Sequence, residues 1–311
     1  MTFKFDPQHP FSCFVTHSES MKNTVENAQR FAMFDVPLLI QGETGTGKGL
    51  LAKACHYQSL RREHKFIAVN CAGLPDEDAE SEMFGRKVGE DETIGFFEYA
   101  DGGTVLLDGI AEFSLSLQAK LLRFLTDGSF RRVGEEKEHH ANVRVICTAQ
   151  MPLNQLVELG KVRADLFHRL NVLILNVPPL RERIADIEPL TEGFLQEISE
   201  SLNIQKPTFD RQFLVYLQQY NWQGNVRELY NTLYRACSLA KHNCLTIENL
   251  NLRLPSNALV SIEEFEKQTL DEIIGCYEAQ VLRAFYREFP STRKLAQRLG
   301  VSHTAIANKL R

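Results

Sequence analysis

From residue 37 to about residue 177, short apolar runs alternate with stretches whose apolar positions recur at helical spacing. Pro37–Gln41, Phe66–Asn70, Thr104–Asp108, Val143–Thr148 and Val172–Val177 are rich in Val, Ile and Leu and read as buried strands. Strands alternating with helices predict a parallel α/β sheet. After Pro178-Pro179 the strand signal stops, and 187–201, 210–220 and 225–241 read as amphipathic helices, the last opening at a Gly-Asn turn. That is a helical subdomain. Periodicity is lost over 253–260, and Ser261 with Glu264 then forms a capping-box pattern before a helical run to Phe289. The expected organisation is an α/β subdomain over 1–182, a helical lid over 183–253, a linker over 254–260 and a C-terminal helical domain over 261–311. No internal repeat or low-complexity segment interrupts it.

Composition narrows the class. The 311 residues carry 35 Lys and Arg against 40 Asp and Glu, a net charge of −5, with 43% hydrophobic and 24% charged residues. These are globular values that exclude disorder, collagen and coiled coil. No run approaches the roughly 18 apolar residues of a membrane span, and Met1–Asp6 lacks a signal-peptide layout. A soluble cytoplasmic chain without membrane contact is expected. The seven cysteines are scattered without a C-x-x-C pair and read as reduced core residues. Charge is uneven: from Pro290 onward five bases face no acid, whereas 260–289 holds seven acids against three bases. A basic tip on an acidic body suits a DNA-contacting end.

The first strand runs into Gly42, Glu43, Thr44, Gly45, Thr46, Gly47 and Lys48, and Gly49 and Leu50 open the helical stretch to Cys55. Strand, glycine loop and helix in this order make a phosphate loop. Its backbone N–H groups point at a β-phosphate from a helix N-terminus, and Lys48 adds charge for the β- and γ-phosphates. A magnesium-holding hydroxyl normally follows the lysine, but this position is Gly49. Asp108, ending the Thr104–Leu107 run, reads as the carboxylate that orients magnesium. The next position, which should hold a water-polarising glutamate, is Gly109. Loss of such a group lowers hydrolysis by roughly 10²–10⁴, so the expectation is nucleotide binding with little or no hydrolysis. The pair His139-His140 reads as a solvent-facing polar loop with no third metal ligand. Phe96, Phe97 and Tyr99 read as packing residues.

Gly42–Lys48, Phe66–Ala72, Ala100–Thr104, Gln118–Arg123, Arg163–Asn171, Pro178–Arg183 and Trp222–Leu229 together resemble the AAA+ domain of bacterial enhancer-binding proteins, the sigma-54 interaction family. The resemblance runs from about residue 12 to 253. It implies an ATP site with Mg²⁺, with Arg163 and Arg169 as fingers reaching a neighbour's nucleotide and Arg227 as the lid arginine at the γ-phosphate, a role suited to its fixed donor fork. Two departures stand out. The Gly-Ala-Phe-Thr-Gly-Ala motif of sigma-54 activators is missing, because Arg86–Thr93 runs straight into Ile94–Glu98. Asn70 matches the residue that switches the catalytic glutamate, and with Gly109 in that glutamate's place it has no partner to switch.

The last twenty-one residues place Ala296, Gly300, Val301 and Ile306 at helix-turn-helix spacing. Ser302, His303, Ala305 and Asn308 would lie along the base edges, and Arg293, Lys294, Lys309 and Arg311 at phosphates. This end is similar to the Fis-type module. Its pairing with an AAA+ core lacking the sigma-contacting loop resembles the family members that repress aromatic amino acid biosynthesis and transport genes. That resemblance implies tyrosine as effector, palindromic operator DNA as target, a homodimer that becomes a hexamer with ligands, and RNA polymerase contact not made through sigma-54. Because the chain starts almost at the AAA+ core, repression rather than activation is expected. The alternatives are an ATP-hydrolysing sigma-54 activator and a stand-alone phosphohydrolase.

Overall fold

The computed structural model describes residues 5–240, 243–250 and 252, together with Ala296 and Arg298 as helical positions. Two compact units divide the chain, residues 1–252 and 253–311. In the first, five parallel strands, β1 (Leu38–Gln41), β2 (Phe66–Asn70), β3 (Thr104–Asp108), β4 (Arg144–Ala149) and β5 (Leu173–Asn176), form a sheet in the order β2-β3-β4-β1-β5. Strands β1 and β4 are buried at every position because both faces of the sheet are covered. Successive side chains point to opposite faces. Leu39, Val105, Leu107, Val145 and Cys147 therefore enter one apolar cluster, with Phe97, Leu121, Phe124 and Leu166. Leu38, Ile40, Leu106 and Ile146 enter another, with Met21, Val25, Leu51 and Ala52.

The helices on these faces are α1 (Glu19–Ala32), α2 (Lys48–Gln58), α3 (Leu115–Asp127) and α4 (Ala164–Leu170). The lid follows as α5 (Ile184–Leu202), α6 (Arg211–Gln219) and α7 (Asn225–Leu239). Trp222 is fully buried ahead of α7 and donates its indole N–H to the Leu217 carbonyl, 2.7 Å away. Asp210 caps α6 by accepting the Phe213 amide at 2.7 Å. Asp210→Ala removes that acceptor and should lower stability by about 1 kcal/mol, a fall in Tm of roughly 2–4 °C by calorimetry.

Several sequence expectations change. The strand signal does not end at Pro179: Thr208–Phe209 pairs in parallel with Cys244–Leu245 across the lid. His139 lies in a strand, Glu138–His140, paired with Ser129–Arg131, and not in a solvent-facing loop. Its ring stacks on Phe130 and its Nε2 meets Glu135 at 2.8 Å. Tyr99 is exposed, with Lys65 Nζ 3.6 Å from its ring centroid, whereas Phe97 is packed between Phe84 and Phe124. Among the cysteines, Cys13 is half-buried and Cys244 exposed, while Cys55, Cys71, Cys147 and Cys237 are buried. The shortened segment folds as a hairpin, Arg86–Val88 against Asp91–Thr93. It is tied down by the buried guanidinium of Arg132, which pairs with Glu92 on the hairpin and with Glu98. No described helix is long and apolar enough to cross a membrane.

Candidate functional site

The C-terminal ends of β1, β3 and β4 share one edge of the sheet, and the groups read as phosphate-binding gather there. The loop after β1 turns left-handed at Gly45 and Gly47, so that α2 begins at Lys48. Thr46 ties the turn by donating to the Glu43 carbonyl at 2.8 Å. The Lys48 side chain folds back over the loop and donates to the carbonyls of Gly42 at 2.6 Å and Glu43 at 2.9 Å. Burial lowers its pKa, and the Asp108 charge opposes that shift. The result is a buried ammonium at a helix N-terminus, a place that favours anions.

Strand β4 lies between β1 and β3, and this order adds a residue that sequence reasoning missed. The Thr148 hydroxyl donates to the Asp108 carboxylate and accepts the Gly109 amide at 2.9 Å. Asp108 is exposed at the strand end, and one of its oxygens is held in place by this bond. Gly109 is left-handed at φ +89°, and a Cβ there would meet only Glu112 Cγ, 3.5 Å away. Gly49 has no neighbour within 4 Å of a Cβ. At both positions a Cβ would find room.

The lid closes directly on the loop. Arg227 donates its amide to the Gly45 carbonyl at 3.3 Å, and its charge acts on Lys48. A Cβ on Gly45 would lie 2.1 Å from the Gly224 carbonyl oxygen. The fully buried Asn225 side chain donates to the Thr44 carbonyl at 3.0 Å and to Glu43 Oε2 at 3.1 Å, and its own oxygen accepts the Leu180 amide at 2.8 Å. Arg181 grips the same Glu43 carboxylate at 2.6 and 2.8 Å, which holds that carboxyl below the usual range. Sequence reasoning missed Asn225 and Arg181 as well, although both lie within motifs it had singled out.

The structure thus brings together Gly42–Leu50, Asp108 and Arg227, but not Arg163 and Arg169. Arg163, half-buried, occupies the N-cap position of α4 and pairs with Asp165 at 2.7 Å. Arg169 donates to the Leu125 carbonyl at 3.0 and 2.6 Å. It lines a cavity of about 640 Å³ at the other end of the strands, with Pro37, Val143 and Arg144, and neither Lys48 nor Asp108 contributes to that wall. The candidate DNA contacts Arg293, Lys294, Ser302, His303, Ala305, Asn308, Lys309 and Arg311 lie outside the described residues.

Residues 14–176 match the sigma-54 interaction domain, 181–264 the AAA+ ATPase lid domain and 267–311 a helix-turn-helix domain. The chain is 80% identical over 308 residues to the HTH-type transcriptional regulatory protein TyrR of Haemophilus influenzae, covering 99% of this chain and 97% of that one. To TyrR of Enterobacter agglomerans it is 53% identical, covering 97% of this chain but only 59% of the longer relative. Among solved structures, NtrX from Brucella abortus in complex with ADP superposes with a TM-score of 0.73 at 31% identity, over 96% of this chain and 68% of that one. NtrX in complex with ATP superposes with a TM-score of 0.72.

Proposed function

This chain belongs to the sigma-54 interaction domain family of AAA+ transcriptional regulators and groups there with the TyrR proteins, and from that premise we propose that it is an ATP-binding, tyrosine-responsive repressor of aromatic amino acid genes. Transcription regulation, DNA binding and nucleotide binding follow from the family. Binding with little hydrolysis rests on one observation, a phosphate loop that faces a Walker-type aspartate whose neighbour is a glycine, while tyrosine response and target genes are what the likeness to the TyrR proteins implies. Gly42–Lys48 would hold the phosphates through backbone amides and the Lys48 ammonium, with Arg227 reaching them from the lid. Magnesium fits as an ion carried by the nucleotide, which takes one or two protein carboxylates. Asp108 would supply one, and Gly49 supplies no hydroxyl.

Gly109 offers no carboxylate to take a proton from water, and the Thr148 hydroxyl beside it is engaged with Asp108. Binding energy is then retained while the chemical step is slow, so the nucleotide acts as a ligand that favours one assembly state by mass action. Arg163, at the N-terminus of α4, would meet a neighbour's nucleotide in that assembly. Two helix-turn-helix modules related by a two-fold axis suit a palindromic operator. The hairpin Arg86–Thr93 stands where activators carry their sigma-contacting loop, which supports RNA polymerase contact not made through sigma-54.

Sedimentation of the purified chain with ATP, with tyrosine and with both, alongside phosphate release, tests the proposal. The expected outcome is an oligomer shift that requires both ligands, with little phosphate released. Rapid release would return the ATP-driven activator reading. Turnover of other phosphoesters without operator binding would favour a phosphohydrolase.

A further inference from the structure

We infer that Glu43 is the anchor by which Arg181 and Asn225 hold the lid arginine Arg227 at the phosphate loop, so that preference for a triphosphate over a diphosphate depends on side chains that touch no phosphate. The inference rests on the reading of Arg227 as the γ-phosphate contact.

Glu43 sits inside a loop built to receive a polyanion, where a free carboxylate would repel its ligand. Both of its oxygens are taken instead by the lid. Arg181 makes a two-point fork, Nη1 to Oε2 at 2.8 Å and Nη2 to Oε1 at 2.6 Å, and Asn225 Nδ2 adds a third bond to Oε2 at 3.1 Å. These partners come from the segment that leads into the lid and from the start of α7 within it. Arg181 follows Pro178-Pro179 where the chain leaves the sheet, and Asn225 opens α7 two residues before Arg227. The grip on Glu43 therefore fixes the start of α7. The Arg227 amide is bonded to Gly45, and its Cβ lies 3.1 Å from the position a Gly45 Cβ would take.

Arg181 and Glu43 are 41% and 38% exposed, and a pair so open to water adds little to folding stability. Its effect belongs to position. Loosening it frees the start of α7 to drift, and a diphosphate, which lacks the γ-phosphate, does not register the drift of Arg227. Arg181, Asn225 and Glu43 are thus positioning residues.

Affinities of the full chain for ADP and for a non-hydrolysable ATP analogue, measured by calorimetry, give the ratio that decides the matter. Glu43→Gln and Arg181→Gln should each lower the preference for the triphosphate about three- to tenfold. The double variant should be no worse than either single one, since both remove the same link. Arg227→Ala should lower the preference at least as far, and thermal melts should show the Glu43 and Arg181 variants folded. The anchor is refuted if Arg227→Ala lowers the preference while neither Glu43→Gln nor Arg181→Gln changes it, or if those two effects add. An unchanged preference in Arg227→Ala would overturn the phosphate contact and the anchor together.

Discussion

Gly45→Ala should separate the lid from the phosphate loop and weaken nucleotide binding about a hundredfold, the equivalent of roughly 3 kcal/mol. Two terms combine. At φ +81° an L-residue costs about 1–2 kcal/mol. The new methyl would also sit 2.1 Å from the Gly224 carbonyl oxygen and 3.1 Å from Arg227 Cβ. Because Gly224 is backbone, no side-chain rotation relieves the overlap, and the turn before α7 must retreat. That retreat breaks the Arg227 amide bond to Gly45 and strains both Asn225 bonds. Gly47→Ala is the control. At φ +101° it carries similar backbone strain but meets nothing within 4 Å, so it should lose only the conformational term. Fluorescent nucleotide titration of both variants separates the contributions. Equal losses at the two positions would mean that the close approach of the lid contributes nothing.

Gly109→Glu should raise phosphate release by about 10²–10⁴-fold while leaving nucleotide affinity nearly unchanged. A carboxylate beside Asp108 restores the group that can take a proton from the attacking water. Its Cβ would be in ordinary contact with Glu112 Cγ at 3.5 Å, so the first side-chain atom meets no clash. The left-handed backbone at φ +89° makes the substitution cost about 1–2 kcal/mol of stability, a loss visible in melting but not in binding. Gly49→Thr, at a position open within 4 Å, returns the hydroxyl for magnesium. The double variant should therefore exceed Gly109→Glu alone. Phosphate release assayed at saturating ATP and Mg²⁺ reads both effects. If neither variant releases phosphate faster, the slow step lies elsewhere, for instance in assembly of a neighbour's arginine against the nucleotide.

Much of this was legible in the chain itself, because the relevant signals are local. A short run such as Thr104–Leu107, β-branched and apolar and preceded by a glycine pair, reads as a strand covered on both faces, and its terminal Asp108 is thereby placed at the strand's C-terminal end. A glycine loop between a strand and a helix start dictates backbone amides facing an anion. Gly49 and Gly109 announce missing chemistry by what they lack. Two-residue pairings such as Thr208–Phe209 with Cys244–Leu245 carry no periodicity and were invisible. His139, a polar residue in a charged stretch, was misread because its burial against Phe130 depends on the partner strand.

Which groups exist can be read from the chain: the phosphate loop, its lysine, the aspartate and the two glycines that stand for lost side chains. Which of them meet follows from the packing alone. Strand order put Thr148 against Asp108 and the Gly109 amide, because β4 pairs with β3, a pairing that no local pattern encodes. Lid closure brought Arg181 and Asn225, 138 and 182 residues away in sequence, onto Glu43. Strand periodicity and helix capping act over a few residues, whereas contacts at such separation are set by how the apolar faces pack.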